Sequence, residues 1–233
     1  IMGRPIGTFG DIAAFSTMYR KNHMSGGSGG IVYTPDLELY RSVLAHADRG
    51  KPKWIPDFDD RDPEHFLFPA LNWNNDELSC AIGIASLRRL GDTIRRRVSF
   101  VSELAAAMEE HDTMFRLMPW RPTDSPFYLP VFVDMARAKR SKLEIAEAVR
   151  AEGVPLNPHY RYVVSQWPWA MRCMADAFDT PVALDNRNRS FCLYLNENHG
   201  AEEAADIAAA FVKIDHAMGV RAAGATTIPI KAA

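Results

Sequence analysis

Hydrophobic residues occur along this chain in two patterns. Short unbroken apolar runs alternate with longer stretches in which apolar positions return every third or fourth residue, as expected of strands alternating with helices. Residues 11–16 (Asp-Ile-Ala-Ala-Phe-Ser) and 30–34 (Gly-Ile-Val-Tyr-Thr) predict two short buried strands around a glycine-dense loop. Thr34 followed by Pro35 predicts a helix N-cap and first helical position, with the helix running to about Ala47 and ending near Gly50. Residues 51–70, rich in proline and acids, predict an irregular loop that must still bury Trp54, Phe66 and Phe68. Asn74 and Glu77 have capping-box spacing and open a helix to Leu90. Leu78, Ala81, Ile82, Ile84 and Ala85 predict that this helix is largely buried, and Gly91 is read as its break. Ile94, Val98, Val101, Leu104 and Met108 mark the next amphipathic helix.

The second half is read the same way. Residues 119–126 are proline-rich and predict a domain boundary, and residues 127–134 predict a strand. Ser141 with Glu144 is a second capping box, opening a helix to Glu152 that stops at Gly153. Residues 167–178 predict a helix and residues 190–195 a strand, and Ala204, Ile207, Phe211, Ile214 and Met218 line one face of a last helix. The tail from Gly219 predicts loose chain. Strands alternating with helices predict an α/β fold, divided into residues 1–115, 116–218 and the tail 219–233.

Composition narrows the function. Of 233 residues, 47% are hydrophobic and 24% charged, with a formal net charge of -2. That is a globular balance, too apolar for disorder and too acidic for a protein that reads nucleic-acid phosphates over its surface. Three dispersed cysteines form neither a disulfide framework nor a zinc motif and suit a reducing cytoplasm. No apolar run reaches the length of a membrane span, and the first residues lack a signal-peptide layout.

The chemistry-bearing cluster is Ser16, Lys21 and the loop Gly26-Gly27-Ser28-Gly29-Gly30. A lysine at a strand exit can act as a covalent nucleophile toward an aldehyde, glycines beside it admit a flat cofactor close to the backbone, and a hydroxyl at the strand end can donate to a phosphate. The competing reading is a flexible connector with a solvated lysine. It is not a P-loop, since no Gly-Lys-Ser/Thr follows the glycines. Elsewhere, Trp167 and Trp169 are read as core, Arg95-Arg96-Arg97 as a solvated or dimer-facing stripe, and the run Asp57, Asp59, Asp60, Asp62 as a solvated acidic turn rather than a metal site.

The block Gly10-Asp11-Ile12-Ala13-Ala14-Phe15-Ser16-Thr17-Met18-Tyr19-Arg20-Lys21, with His23 and the glycine loop into Ile31-Val32-Tyr33-Thr34, resembles the DegT/StrS family of sugar aminotransferases. The resemblance continues through Asn72-Trp73-Asn74, Glu77 to Gly83, Ala151 to Pro155, Pro158-His159-Tyr160 and Arg189 to Asn198, covering roughly residues 7–218. It implies a pyridoxal-phosphate (PLP) enzyme of fold type I, with a partial large domain in residues 1–115 and a small C-terminal α/β domain. Lys21 matches the lysine that tethers the cofactor, Ser16 the hydroxyl that binds its phosphate, and Asn72 an asparagine that reaches the phosphate of the neighbouring subunit, which implies a homodimer. His159 and Tyr160 fall where the family contacts its sugar.

The implied reaction is amino transfer from glutamate or glutamine to a nucleotide-linked keto-sugar or cyclitol. Related sugar dehydratases carry histidine where this chain has Lys21, which favours transamination; the dehydratase remains an alternative, as does a catalytically inactive PLP-fold binding or regulatory protein. Three departures stand out. Asn74 replaces the family's usual arginine, Ser28 replaces a glutamate or glutamine, and the segment that supplies the family's phosphate cradle, ring-stacking residue and pyridine-pairing aspartate has no counterpart, so the chain is read as a fragment of a longer protein.

Overall fold

The computed structural model describes residues 3–159, 162–174 and 179–220. The chain packs as two compact units, Ile1–Asp92 and Thr93–Ala233.

In the first unit, strands β1 (Ala13–Ser16) and β2 (Gly30–Tyr33) form an antiparallel pair in which Ser16 faces Gly30. Helix α1 (Leu37–Ala47) follows, capped by Asp36, whose Oδ1 accepts from Leu39 N at 2.8 Å. Thr34 is not the cap, because its hydroxyl donates instead to Asp11 O and accepts from Asp36 N. The helix ends at Ala47, and the turn after it closes at Gly50, where φ is +78° and an added Cβ would lie 2.0 Å from Phe68 O, so only glycine fits there. Residues 51–70 form the irregular loop foreseen, with a 3-10 turn at Pro63–His65 and with Trp54, Phe66 and Phe68 half-buried. Its acidic run serves turns and one lysine: Asp59 accepts from Arg61 N, Asp62 from Glu64 N, and Asp60 pairs with Lys51.

Helix α2 (Glu77–Glu109) replaces the two helices read from the sequence. Gly91 does not break it, since one interior glycine costs only about 1 kcal/mol against alanine and the flanking residues favour helix. Its cap is Asp76 rather than Asn74. The Asp76 carboxylate accepts from both Ser79 N (2.7 Å) and Ser79 Oγ (3.0 Å), and a charged acceptor suits a helix N-terminus better than an amide. Those hydrogen bonds hold the Asp76 pKa below the ordinary carboxylate value.

The first unit's apolar residues are largely uncovered. Leu78 is 72% exposed and Ile84 55%, against the expected burial, and Phe15, Ile31, Val32 and Tyr33 on the strands are also exposed. Among the described residues of this unit, Ala45 is the one fully buried hydrophobic side chain.

The second unit holds the core. An antiparallel sheet with order β3-β4-β6-β5 is built from β3 (Phe115–Leu117), β4 (Tyr128–Val133), β5 (Leu156–Asn157) and β6 (Ser190–Tyr194). Leu129, Val131 and Val133 alternate inward along β4. Helix α3 (Lys142–Ala151) starts at the foreseen capping box, with Ser141 and Glu144 exchanging hydrogen bonds, and stops before Gly153 at φ +92°. Short helices α4 (Pro168–Cys173) and α5 (Pro181–Arg189) precede the long helix α6 (Ala201–Met218). Phe115 stacks on Phe211 at 4.5 Å, with Phe191 against both rings, and Phe100, Leu104, Ile145, Val149 and Ile214 close the cluster. Each such side chain contributes roughly 1.5–3 kcal/mol by burial. The Pro119–Pro126 stretch lies inside this unit, between β3 and β4, because the later turns of α2 supply part of the same core.

Two sequence expectations change here. Trp169 is 55% exposed rather than core, and the Trp167 ring lies between it and Tyr162. Arg97 is buried, its guanidinium paired with Glu197 at 2.9 Å, so the arginine run is partly structural. The helix read over 167–178 is observed to Cys173; its last residues, and the tail beyond Val220, lie outside the described residues. No helix among the described residues is long and apolar enough to cross a membrane.

Candidate active site

The hairpin of β1 and β2 does not end with its strands. Thr17 N donates to Gly29 O (2.9 Å), Tyr19 N to Gly27 O (3.0 Å) and Ser25 N to Thr17 O (2.8 Å), so the backbone of residues 17–29 folds back on itself. Under this loop Thr17 Oγ1 and Ser25 Oγ share a buried hydrogen bond at 2.7 Å. Gly29 lies against that pair. A Cβ there would sit 2.4 Å from Ser25 Oγ and 2.7 Å from Thr17 Oγ1. The outer half of the loop is pinned to α2, since Met24 N donates to the buried Ser86 Oγ (3.1 Å) and His23 Nε2 lies 3.0 Å from Gly83 O. A flexible connector has none of these bonds, so the glycine loop is a built element.

Lys21 sits half-buried at the turn of this loop, its backbone N donating to Met18 O at 2.8 Å. Ser16 occupies the end of β1, exposed, with Oγ accepting a long bond from Met18 N at 3.4 Å. An amine and a hydroxyl therefore share one strand exit, held by a preorganised loop. That pair fits a ligand carrying an aldehyde and a phosphate. Ser28 is exposed on the same loop.

Asn72 is exposed on a strap that pairs with the end of α1 through an antiparallel bridge between Asp48 and Asn72. Its neighbours Trp73, Asn74 and Asn75 line a groove of about 860 Å³ with Gly29, Gly30 and the Tyr40–Ala47 face of α1. The strap and the Gly29-Gly30 end of the loop thus meet along one groove, which has a mostly apolar wall and Trp73 74% exposed at its rim; Lys21, Ser16 and Asn72 are not among the residues that line it.

His159 lies in the second unit, in a cavity of about 470 Å³ with Lys142 and Arg187, its Nε2 3.0 Å from Glu147 Oε1. Tyr160 lies outside the described residues. Cys192 is buried, and desolvation pushes its thiol up to about 11, which removes it as a nucleophile. No group of three His, Cys, Asp or Glu among the described residues is placed to hold a metal ion.

Sequence reading missed two features of this site: the Thr17–Ser25 hydroxyl pair and the charged cluster around Asp48. The first carried a weak signal, hydroxyls bracketing a glycine-rich loop. The second is visible only as the alternating charges of Asp48, Arg49, Lys51 and Lys53.

A model of the DegT/DnrJ/EryC1/StrS aminotransferase family matches residues 1–212. The chain belongs to that family. Its members depend on pyridoxal 5'-phosphate, and the fold is the PLP-dependent transferase fold type I. A GDP-4-keto-6-deoxy-D-mannose 3-dehydratase of Yersinia pseudotuberculosis is 33% identical over 105 residues, covering 41% of this chain and 26% of that protein. Among solved structures, the E. coli GDP-4-keto-6-deoxy-D-mannose-3-dehydratase with bound hydrated PLP superposes with a TM-score of 0.77 at 18% identity, covering 90% of this chain and 56% of that one. An aminotransferase from Psychrobacter cryohalolentis gives a TM-score of 0.76 at 22% identity, covering 93% of this chain and 58% of that one. The chain therefore spans little more than half the length of these solved relatives.

Proposed function

We propose that this chain is the lysine-bearing part of a PLP-dependent aminotransferase acting on a nucleotide-linked keto-sugar or cyclitol, with glutamate or glutamine as amino donor. The first unit is then the remainder of the cofactor-binding domain and the second unit holds the small domain. The observation that carries this reading is Lys21 on a preorganised loop at the exit of β1, with Ser16 five residues before it.

When bound, the cofactor supplies an aldehyde for covalent attachment and a ring that delocalises the electron pair left by loss of a proton from the substrate carbon. Lys21 Nζ would hold that aldehyde and, as a free amine, would take up and pass on the proton of the substrate carbon. Ser16 Oγ donates to the phosphate. Asn72 reaches the phosphate held by a second copy, which makes the active form a homodimer. The uncovered apolar surface of the first unit and the groove beside the Asn72 strap support such an interface. His159 and Tyr160 contact the sugar.

A second reading, removal of a sugar hydroxyl, is favoured by the Yersinia relative. Lysine at position 21 supports amino transfer, because an amine can both hold the cofactor and be exchanged for the donor. Product analysis separates the two. The intact protein with PLP, glutamate and a nucleotide-linked keto-sugar is expected to yield an amino sugar and one equivalent of 2-oxoglutarate. A deoxy sugar formed without net amination would overturn the assignment.

A further inference from the structure

Asp48 is a buried carboxylate with two cationic partners. Its side chain is 2% exposed, yet it sits at the C-terminal end of α1, where a negative charge opposes the helix dipole. Stability of α1 therefore does not explain an acid here. The carboxylate is met by Arg49 Nε at 2.7 Å and Lys53 Nζ at 2.5 Å. Burial alone would raise its pKa; the cations of Lys53 and Arg49 against it outweigh that and hold it well below the usual carboxylate range. Both partners flank a turn, with Arg49 at φ +57° and Gly50 at φ +78°.

The strap is tied to the same point by its backbone. Arg49 N donates to Leu71 O (3.0 Å) and Trp73 N to Ala47 O (2.7 Å), so hydrogen bonds lie on both sides of Asn72 and converge on residues 47–49. Asn72 Oδ1 in turn lies 3.5 Å from Asn74 N. The side chain proposed to reach the cofactor phosphate is thus fixed at its base by the Asp48 cluster while its amide stays exposed.

We infer that Asp48 is a positioning residue: its buried carboxylate, paired with Arg49 and Lys53, fixes the turn at residues 47–49 to which the strap is hydrogen-bonded on both sides of Asn72, and so sets the direction in which Asn72 presents its amide to a phosphate. This rests on the proposed role of Asn72.

The test is a double-mutant cycle in the intact protein, read by PLP affinity in an absorbance titration. Asn72→Ala is expected to weaken binding about tenfold, the worth of one hydrogen bond to a charged group. Asp48→Asn is expected to weaken it three- to tenfold on its own and to add nothing in the Asn72→Ala background. A purely structural role would lower the melting temperature in both backgrounds and weaken affinity by the same factor in each, which overturns the inference, as does wild-type affinity in Asp48→Asn. Wild-type affinity in Asn72→Ala overturns it too, and separately refutes the role given to Asn72 while leaving that of Lys21 standing. If Asp48→Asn does not fold, Lys53→Ala enters the same cycle. It keeps the carboxylate and removes one half-exposed cation, and the same outcomes apply.

Discussion

Replacing Gly29 by alanine tests whether the loop carrying Lys21 is preorganised. The new Cβ would lie 2.4 Å from Ser25 Oγ and 2.7 Å from Thr17 Oγ1, both far inside van der Waals contact. Two responses are open. The hydroxyls can swing apart, which abandons their 2.7 Å hydrogen bond and strands buried polar groups, at about 1–3 kcal/mol for each hydroxyl left unsatisfied. Alternatively the backbone at Gly29 can retreat, which gives up the bond from Thr17 N that closes the loop. Either way the closed loop loses about 2–4 kcal/mol, and with about 1.4 kcal/mol per factor of ten the cofactor affinity falls by up to a few hundredfold if only the closed loop binds. The assay is a PLP titration of the intact protein beside amide exchange at Thr17, Tyr19 and Ser25. The control is Gly27→Ala, where an added Cβ meets nothing within 4 Å and no effect beyond about 0.5 kcal/mol is expected. Equal titrations for Gly29→Ala and Gly27→Ala would refute the reasoning.

Three further outcomes follow from the packing and charges. Because the folded pKa of Asp48 lies below its unfolded value, its contribution to stability is full above about pH 4 and is lost as pH falls toward the folded pKa; denaturant melts should show this acid-side loss in the wild type and lack that component in Asp48→Asn. Phe211→Ala removes the ring stacked on Phe115 and should cost about 3–5 kcal/mol in a calorimetric melt of the second unit, with little change in amide exchange at Thr17 or Ser25. Ser141→Ala breaks the capping box of α3 and should cost about 1 kcal/mol, measured by urea denaturation, a loss that Ser141→Asp should largely restore.

How far the sequence revealed the molecule depended on how local the deciding interactions were. The capping box at Ser141 and Glu144, the stop at Gly153 and the amphipathic face of α6 rest on contacts within a few residues, and they stand where the sequence placed them. Spacing offers Asn74 and Thr34 as caps, but an aspartate nearer each helix takes the cap, and the Thr34 hydroxyl meets Asp11, distant in sequence. Strands β3 and β5, only three and two residues long, lack a periodicity to detect, and their pairing comes from β4 and β6. Trp167 and Trp169 show the limit of hydrophobicity as a guide to burial. The Lys21 loop was legible as composition, whereas the hydroxyl pair that rules out a flexible connector joins Thr17 to Ser25 and becomes evident only once the loop has closed.

One covalent bond tests the central claim most directly. The intact protein, loaded with PLP and reduced with borohydride, should yield after digestion a peptide carrying the reduced pyridoxyl group on Lys21, and Lys21→Ala should yield none. A pyridoxyl group on another lysine, with Lys21 unlabelled, would contradict the assignment of this loop as the cofactor's anchor.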